Sequence, residues 1–293
     1  MNIRNIYFVI VLCIAIMVCR NSAADIGSVV SSGRAGGVNV GWCASADDIF
    51  AMQYNPAGLC RLSYPGFASS IGSSFLSLSD NTNLQQSFLG YVHPFKRLIP
   101  WKKDPRFLRD QALGVGLYNF SSGSLFKEQV LYVSYAQKIY PLVSAGITVK
   151  QFTRKYGSDA YRTSAVDDWG QITNNRDAFF DAGTSKHAVS FDLGMLYRFG
   201  PFTRYSIGCA LLNVNQPDMA LGDTADKIPF KTVIGFAYRF PKLNLSVDWM
   251  RGRMLAAGNE NRLGIVGEKW FVINNQQRIS ARGTLAIGSR SYR

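Results

Sequence analysis

Residues 187–199 read HAVSFDLGMLYRF, and large apolar side chains recur at every second position of this stretch. Asp192, Gly194 and Arg198 occupy alternate positions. Because successive side chains of a β-strand point to opposite faces, the stretch predicts a strand with one apolar and one polar face. A soluble β-sandwich would bury the apolar face in its core. A transmembrane barrel would turn that face to lipid around a hydrated interior.

The same two-residue alternation recurs along the chain. It is clear at 143–150, 231–240, 242–250 and 278–287, and weaker at 66–78, 83–95, 110–121, 126–140, 202–214 and 261–272. About eleven strands result, many of them near the roughly 9–11 residues that a tilted strand needs to cross a bilayer. The polar parity carries ionised side chains, namely Asp192, Arg198, Lys231, Arg239, Asp248, Arg278 and Arg282. Because such charges cost much less beside water than toward lipid, the pattern favours the barrel.

The links between the strands differ in length. Short links at 140–141, 198–202, 239–243 and 273–277 alternate with longer ones at 157–185, 214–228 and 251–261. Outer-membrane barrels have short turns on one side of the membrane and longer loops on the other, with aromatic side chains at the interfaces. Tyr140, Phe199 and Tyr238 lie beside short links, as in such a barrel. The basic link 95–110 is unusually long for its side, and it is either an interfacial segment or a solvated loop.

The composition is that of an exported, weakly charged chain. Charged residues make up 17% of its 293 residues, against about 25% in an ordinary soluble domain. Residues 1–24 predict a signal peptide, with Arg4 before an apolar run at 6–18 and small residues before the cleavage site. Cys19 leaves a lipoprotein signal as an alternative. We expect an N-terminal segment at 25–64 and a barrel domain at 65–293.

Charge and cysteine content restrict the function. Removing residues 1–24 removes two arginines and no acid, so the net charge falls from +13 to +11. For an exported chain this charge indicates anionic lipid or an anionic solute, and no nucleic acid partner. Export permits a disulfide between Cys43 and Cys60, although both cysteines could equally stay unpaired. His93 and His187 are the only histidines and no ligand cluster or serine-based motif accompanies them, so we expect no cofactor, metal site or enzymatic activity.

Residues 44–62, ASADDIFAMQYNPAGLCRL, do not alternate. The stretch 46–52 predicts a short helix whose N-terminus would favour the carboxylates of Asp47 and Asp48. Pro56 biases Asn55 away from helix and predicts a turn, and Gly58 permits a positive φ. The segment either lies inside a barrel or forms a plain surface turn before the first strand.

The run ADD…YNPAGL, behind a glycine-rich stretch and ahead of a series of strands, resembles the N-terminal plug of FadL-type outer-membrane proteins. That family includes long-chain fatty-acid transporters, PorV-type components of a secretion system and spirochaetal relatives. The resemblance implies an all-β fold, a transmembrane antiparallel β-barrel of about fourteen strands with the plug in its lumen. The plug motif would be Asn55, Pro56, Ala57 and Gly58. About three strands are missing from the count, so we expect the barrel to be incomplete at its C-terminus or strands to be uncounted in 25–64.

The resemblance also implies a function. We expect an outer-membrane transporter or channel for hydrophobic, anionic solutes such as long-chain fatty acids, with outer-membrane lipid and the barrel assembly machinery as partners. The external loops would capture the ligand through Trp169, Phe179, Phe180, Met219 and Leu221, unless these residues only pack the loops together. Arg198, Lys231 and Arg239 would form a basic path through the lumen, and Gly114 and Gly116 would mark a lateral opening. The alternative is a PorV-like or surface-interaction barrel, an antigen or adhesin, without transport activity.

Overall fold

The computed structural model describes residues 42–74, 84–95, 110–157, 163–167, 169–181, 183–222, 225–254, 258–272 and 278–291. Strands form most of these ranges. The helices named within these ranges are α1 (Ala51–Tyr54) and three 3₁₀ helices, Pro56–Arg61, Ala178–Phe180 and Pro201–Thr203. No helix within the described ranges is both long enough and apolar enough to cross a membrane.

Eleven strands form one sheet in which each strand is antiparallel to the next. In chain order they are β1 (Gly66–Ser74), β2 (Leu84–Pro94), β3 (Gln111–Ser122), β4 (Phe126–Tyr140), β5 (Val143–Tyr156), β8 (Ser185–Phe199), β9 (Tyr205–Leu212), β10 (Lys231–Arg239), β11 (Leu243–Met254), β12 (Gly258–Val272) and β13 (Arg278–Ser291). A separate hairpin, β6 (Ser164–Val166) and β7 (Ile172–Arg176), lies within the link between β5 and β8.

All eleven predicted strands are confirmed, with ends displaced by a few residues. β6 and β7 were not predicted, because strands of three and five residues are too short to show alternation. The prediction of a long link at 251–261 is wrong. β11 continues to Met254 and β12 begins at Gly258, and these two residues pair with each other. Of the predicted interfacial segment 95–110, residues 96–109 lie outside the described ranges.

The apolar parity of the strands faces outward, as predicted. Phe191, Phe236 and Trp249 are 40%, 43% and 39% exposed, whereas Asp192 and Asp248 are completely buried. A sandwich would press the three aromatic side chains together in a dry core, and the structure excludes that arrangement. The buried face of the sheet is therefore the polar one.

Aromatic side chains also gather at the short-link end of the sheet, which we call the turn end. Tyr197 stacks on Phe199 with ring centroids 5.3 Å apart, and Phe199 stacks on Tyr205 at 5.4 Å. The array continues to Tyr238, 4.6 Å from Tyr205, and on to Phe240. This outward-facing row agrees with the interfacial belt expected from the sequence.

The orientation of the sheet predicts a depth-dependent cost of charge on its outer face. Ile234 lies within β10 and Tyr140 ends β4 at the turn end, and both are exposed. In lipid vesicles, Ile234→Arg should lower the free energy of unfolding by about 2–4 kcal/mol and Tyr140→Arg by about 0–1 kcal/mol, because only the first places a cation at bilayer depth. Urea unfolding of the two variants measures the difference. Equal losses would contradict the orientation.

Candidate functional site on the inner face of the sheet

Residues 42–62, here called the N-terminal segment, form a compact buried unit. Asn55 has an extended backbone with φ −162°, and its side-chain oxygen accepts the N–H of Ala57 at 3.2 Å. Pro56 then begins the 3₁₀ helix, so the predicted turn at Asn55 is confirmed. The predicted helix at 46–52 is wrong, because α1 begins only at Ala51. Asp48 instead accepts a hydrogen bond from the Tyr54 hydroxyl at 2.6 Å.

Side chains of the sheet bond the backbone of this segment directly. One bond runs the other way: the side-chain amide of Asn55, in the segment, donates to Met195 O on β8 at 3.3 Å, and also to Cys43 O within the segment at 2.8 Å. The other bonds come from inward residues of β5, β9 and β11: Ser144 Oγ to Ala57 O at 3.1 Å, Thr148 Oγ1 to Met52 O at 3.3 Å, Ser206 Oγ to Ala44 O at 2.8 Å, and Cys43 N to Asp248 Oδ2 at 2.5 Å. The wall thus satisfies polar backbone groups that burial would otherwise leave unpaired.

Glycines of the wall let the segment approach the strands. A Cβ at Gly146 would lie 2.6 Å from Ala57 N, and a Cβ at Gly208 would collide with the backbone of Cys43. Within the segment, Gly58 allows a similarly close approach, because a Cβ at this position would collide with Ala46. The prediction of a positive φ at Gly58 is wrong, since this residue continues the 3₁₀ helix.

The lateral opening expected at Gly114 and Gly116 is not present. β3 pairs along its length with β2 and with β4, without a register shift. The two glycines face inward, where a Cβ would meet Met52. The small size of these glycines therefore leaves space for the N-terminal segment, and the sheet is not interrupted at this place.

Of the two alternatives for Cys43 and Cys60, the structure shows the one without a disulfide. The two side chains contact different parts of the wall, Cys43 Sγ lying 3.7 Å from Val233 O and Cys60 Sγ 3.4 Å from Asp110 O. Burial raises the pKa of the Cys43 thiol well above its usual range, with Asp248 adding to the shift. The thiol of Cys43 therefore stays protonated and behaves as a small apolar group.

The predicted capture residues occupy three different environments. Phe179 and Phe180 contact each other with ring centroids 5.0 Å apart, and both contact Tyr156. Trp169, on the β6–β7 hairpin, is 88% exposed. Met219 and Leu221 are buried, so their predicted exposure on an external loop is wrong. Met219 belongs to an apolar cluster inside the sheet and is completely buried there.

The described residues of the link between β9 and β10, 213–222 and 225–230, turn into the interior and are held by charged side chains. Asp226 pairs with Arg154 at 2.5 Å, and Asn213 Oδ1 accepts from Lys150 Nζ at 2.5 Å. Asp218 Oδ1 accepts the N–H groups of Ala220, at 3.0 Å, and of Asp226, at 2.9 Å. These bonds order the loop that carries Met219.

The proposed basic path is not one cluster. Arg198 and Arg239 lie at the turn end, whereas Lys231 begins β10 at the opposite end. Asp192, which the sequence placed on the inner face, pairs with Lys150 at 2.7 Å. Sequence reasoning missed three further acids that accompany inner cations: Glu128 with Arg154 at 2.6 Å, Glu260 with Arg262 at 2.6 Å and Glu268 with Arg282 at 2.7 Å. The alternation in 126–140 and 261–272 already placed Glu128 and Glu268 on the inward parity. Much of the inner charge is therefore neutralised, by acids of a neighbouring strand for Lys150, Arg154 and Arg282 and within β12 for Arg262.

Similarity to solved structures agrees with this architecture. The monoaromatic hydrocarbon channel CymD matches with a TM-score of 0.51 and 14% identity, over 92% of this chain and 86% of that chain. CymD is a FadL-family outer-membrane protein. The chain has the FadL-type fold.

Other comparisons are weaker. A deletion mutant of the monoaromatic hydrocarbon channel TodX matches with a TM-score of 0.47 and 13% identity, over 91% of this chain and 84% of that chain. The P. putida toluene transporter TodX matches with a TM-score of 0.47 and 11% identity, over 82% and 79% of the two chains. No protein-family model and no curated protein sequence matches the chain. Within the described residues, no group of three or more His, Cys, Asp or Glu side chains is placed to hold a metal ion.

The glycine contacts predict that a single methyl group will disturb the N-terminal segment. Gly146→Ala should lower the free energy of unfolding by about 1–3 kcal/mol, because its Cβ overlaps backbone atoms that cannot turn aside, and should expose residues 42–62 to protease. Gly267→Ala is the matched control, since its Cβ would lie 3.6 Å from Leu245 Cδ2 in ordinary contact. Equal protease resistance of both variants would show that the segment does not lie against Gly146.

The ordering of the loop around Asp218 should depend on pH through the Asp218 carboxyl. The N–H groups of Ala220 and Asp226 hold the pKa of the Asp218 carboxyl below its usual range. The ionised form therefore stabilises the loop at neutral pH, and this stabilisation is lost as the pH falls through the lowered pKa. The amide NMR shift of Ala220 should report that step, and Asp218→Asn should abolish it. A midpoint at or above that of an ordinary aspartate would contradict the assignment.

Proposed function

We propose that this chain is an outer-membrane channel for hydrophobic solutes. The observation that carries the proposal is a continuous row of apolar side chains that leads from the external loops to a cluster inside the sheet. The cluster lies on the inner face of the sheet, and the outer face of the same strands carries a separate set of apolar side chains. A hydrophobic solute would thus find apolar contacts along the interior of the molecule, and the outward face would fit lipid.

The row begins at Phe179 and Phe180 and passes through Tyr156 to Phe126, whose ring centroid lies 5.3 Å from that of Tyr156. Phe126 lies 6.3 Å from Phe120, which packs against the interior cluster. The buried aromatic and methionine side chains of that cluster include Met52, Phe88, Tyr118, Tyr132, Phe152 and Met219. Aromatic and methionine side chains of this kind adapt to apolar ligands of varied shape.

The two external loops meet at the outer end of the row. A Cβ at Gly222 would lie 3.3 Å from Phe179 Cδ2, so the link between β9 and β10 touches the link between β5 and β8. Met219, carried by the same link as Gly222, fills the interior behind this contact. Entry of a solute would require Met219 and its loop to move aside, and the N-terminal segment would act as the plug beneath it.

The cellular setting is part of the proposal. Outer-membrane insertion is supported by the outward apolar face and by the fold shared with CymD, a monoaromatic hydrocarbon channel. Export would depend on the signal peptide at residues 1–24, and outer-membrane lipid and the barrel assembly machinery would be the partners. Solutes with a carboxylate, such as long-chain fatty acids, are included because arginines gather at the turn end.

A second candidate function is surface interaction through the β6–β7 hairpin. The observation in its favour is Trp169, whose indole is almost fully exposed at the end of an external link. Exposed aromatic side chains of this kind tend to anchor protein interfaces. This candidate needs no passage through the interior, which makes the two proposals separable.

Uptake by cells tests the channel. Bacteria that lack their own hydrocarbon channels and express the full-length chain should take up radiolabelled toluene and decanoate faster than cells without it. Phe179→Ala combined with Phe180→Ala should slow uptake several-fold, because the outer end of the apolar row is removed. Trp169→Ala is the matched control and should leave uptake unchanged.

Three results would contradict the channel or its route. Equal uptake with and without the chain would remove the transport function. Unchanged uptake after loss of both phenylalanines would remove the apolar row as its entrance. A decrease with Trp169→Ala as large as that of the double variant would move solute capture to the hairpin. Surface abundance of each variant must be matched by protease accessibility before uptake is compared.

A further inference from the structure

Two small cavities lie at the turn end of the inner face, and they share part of their lining. Their volumes are about 30 Å³ and about 10 Å³. Arg61, from the N-terminal segment, and Arg198, from β8, line both. A space of this size holds a water molecule or one small polar group. It is too small for a hydrocarbon chain.

The lining of the cavities is strongly positive. Arg204 and Arg239 line the smaller cavity and Lys138 lines the larger one. Asp110 is the one acid among the described residues that line either cavity, and Lys138 pairs with it at 2.8 Å. The four arginines therefore keep an excess of positive charge around the shared space.

Arg198 differs from the inner cations elsewhere in the sheet. Lys150, Arg154 and Arg282 each pair with an acid of a neighbouring strand. Within the described ranges, the structure gives the guanidinium of Arg198 neither an ion pair nor a hydrogen bond, while its backbone N–H donates to Leu142 O at 2.8 Å. Five N–H donors of Arg198 are thus available beside the cavities.

Asp47 shows which chemistry the arginines accept. Its Oδ2 lies 2.7 Å from Arg239 Nη2 and 3.8 Å from Arg61 Nη2, so one carboxylate of the N-terminal segment already bridges two of the four arginines. Arg239 is still substantially exposed. A second carboxylate could reach Arg239 from the turn end.

We propose that Arg61, Arg198, Arg204 and Arg239 form a binding site for one oxyanion group, a carboxylate or a phosphate, and that the bound anion competes with Asp47 for Arg61 and Arg239. Guanidinium groups bind both anions through paired, charge-assisted hydrogen bonds. Competition weakens the ion pairs that hold Asp47, and it thereby loosens the N-terminal segment at the turn end. The inference rests on the proposed function, which includes solutes with a carboxylate because arginines gather at this end.

Ligand-observed NMR with full-length protein in neutral-detergent micelles tests the site with two probes, butyrate and inorganic phosphate. Arg198→Ala should weaken binding of both probes by about tenfold or more, because charge-assisted hydrogen bonds are lost. Arg198→Lys should bind with intermediate affinity, since it keeps the charge but not the paired donors. The matched control is Arg251→Ala, which removes an exposed arginine near the other end of β11 and should bind like the wild type.

Asp47→Asn tests the competition. It should strengthen binding of butyrate several-fold, because the internal competitor has lost its charge. Addition of phosphatidylglycerol to the micelles distinguishes the source of the anion: displacement of butyrate identifies a lipid headgroup as an occupant, and retention of butyrate identifies a free solute. Heat-modifiable mobility on gels confirms that each variant is folded.

The site is overturned if Arg198→Ala binds butyrate and phosphate like the wild type, or if Arg251→Ala weakens binding equally. The competition is overturned if Asp47→Asn leaves the affinity for butyrate unchanged. Neither result depends on toluene, which carries no charge and would not need the site. Loss of toluene uptake together with intact butyrate binding would remove the proposed function and leave the anion site in place.

Discussion

The close contact between the N-terminal segment and the inner face of the sheet is the constraint on which the rest of the structure depends. The segment carries peptide groups into an enclosed space, where an unpaired N–H or C=O costs about as much as a lost hydrogen bond. Ser144, Thr148 and Ser206 supply partners, and glycines such as Gly146 supply the space. The inward-facing positions of the strands therefore carry residues that bind a neighbouring chain segment, as well as residues suited to water.

The inner charges follow the register of the strands. Arg154 lies directly opposite Glu128 in the β4–β5 pairing, and Arg282 lies opposite Glu268 in the β12–β13 pairing. Such buried pairs do little for stability as a whole, but removing one partner leaves an uncompensated charge in a dry space and is strongly destabilising. Their main consequence is to fix which strands are neighbours and in which register, because a slip of one residue would send these charges to the outer face.

Sequence reasoning succeeded where a single strand contains all of the information. Alternation in 187–199 reveals which face is apolar, and link composition shows where strands end, so strands and their orientation were predictable. It failed for contacts that arise only when the sheet curves around the N-terminal segment. Nothing local shows that Gly116 lies beneath Met52. Likewise, the sequence shows only that Met219 is an apolar residue in a loop. The same pattern would result whether its side chain is exposed or buried inside the sheet.

The same limit explains the cysteines and the basic residues. Cys43 and Cys60 are close in sequence, but α1 lies between them and Cys60 belongs to the 3₁₀ helix that follows, so their thiols contact Val233 O and Asp110 O at different parts of the sheet. Alternation places Arg198, Lys231 and Arg239 on the same face of the sheet. It does not say how far along the strand each residue lies, and Lys231 is at the opposite end of β10 from Arg239. Depth could be read only from strand bounds, which are the least certain part of a prediction from sequence.

The interior is closed by different interactions at its two ends, and this difference has a mechanistic consequence. At the loop end Met219 seals the interior by apolar packing, which an apolar solute can replace at little cost because similar contacts form again. At the turn end the ion pairs of Asp47 with Arg239 and Arg61 hold the N-terminal segment, and only an anion can substitute for them. A solute with both an apolar chain and a carboxylate would match both closures in turn. In the proposed channel, an uncharged hydrocarbon would loosen the first closure alone, and its route would leave the N-terminal segment in place.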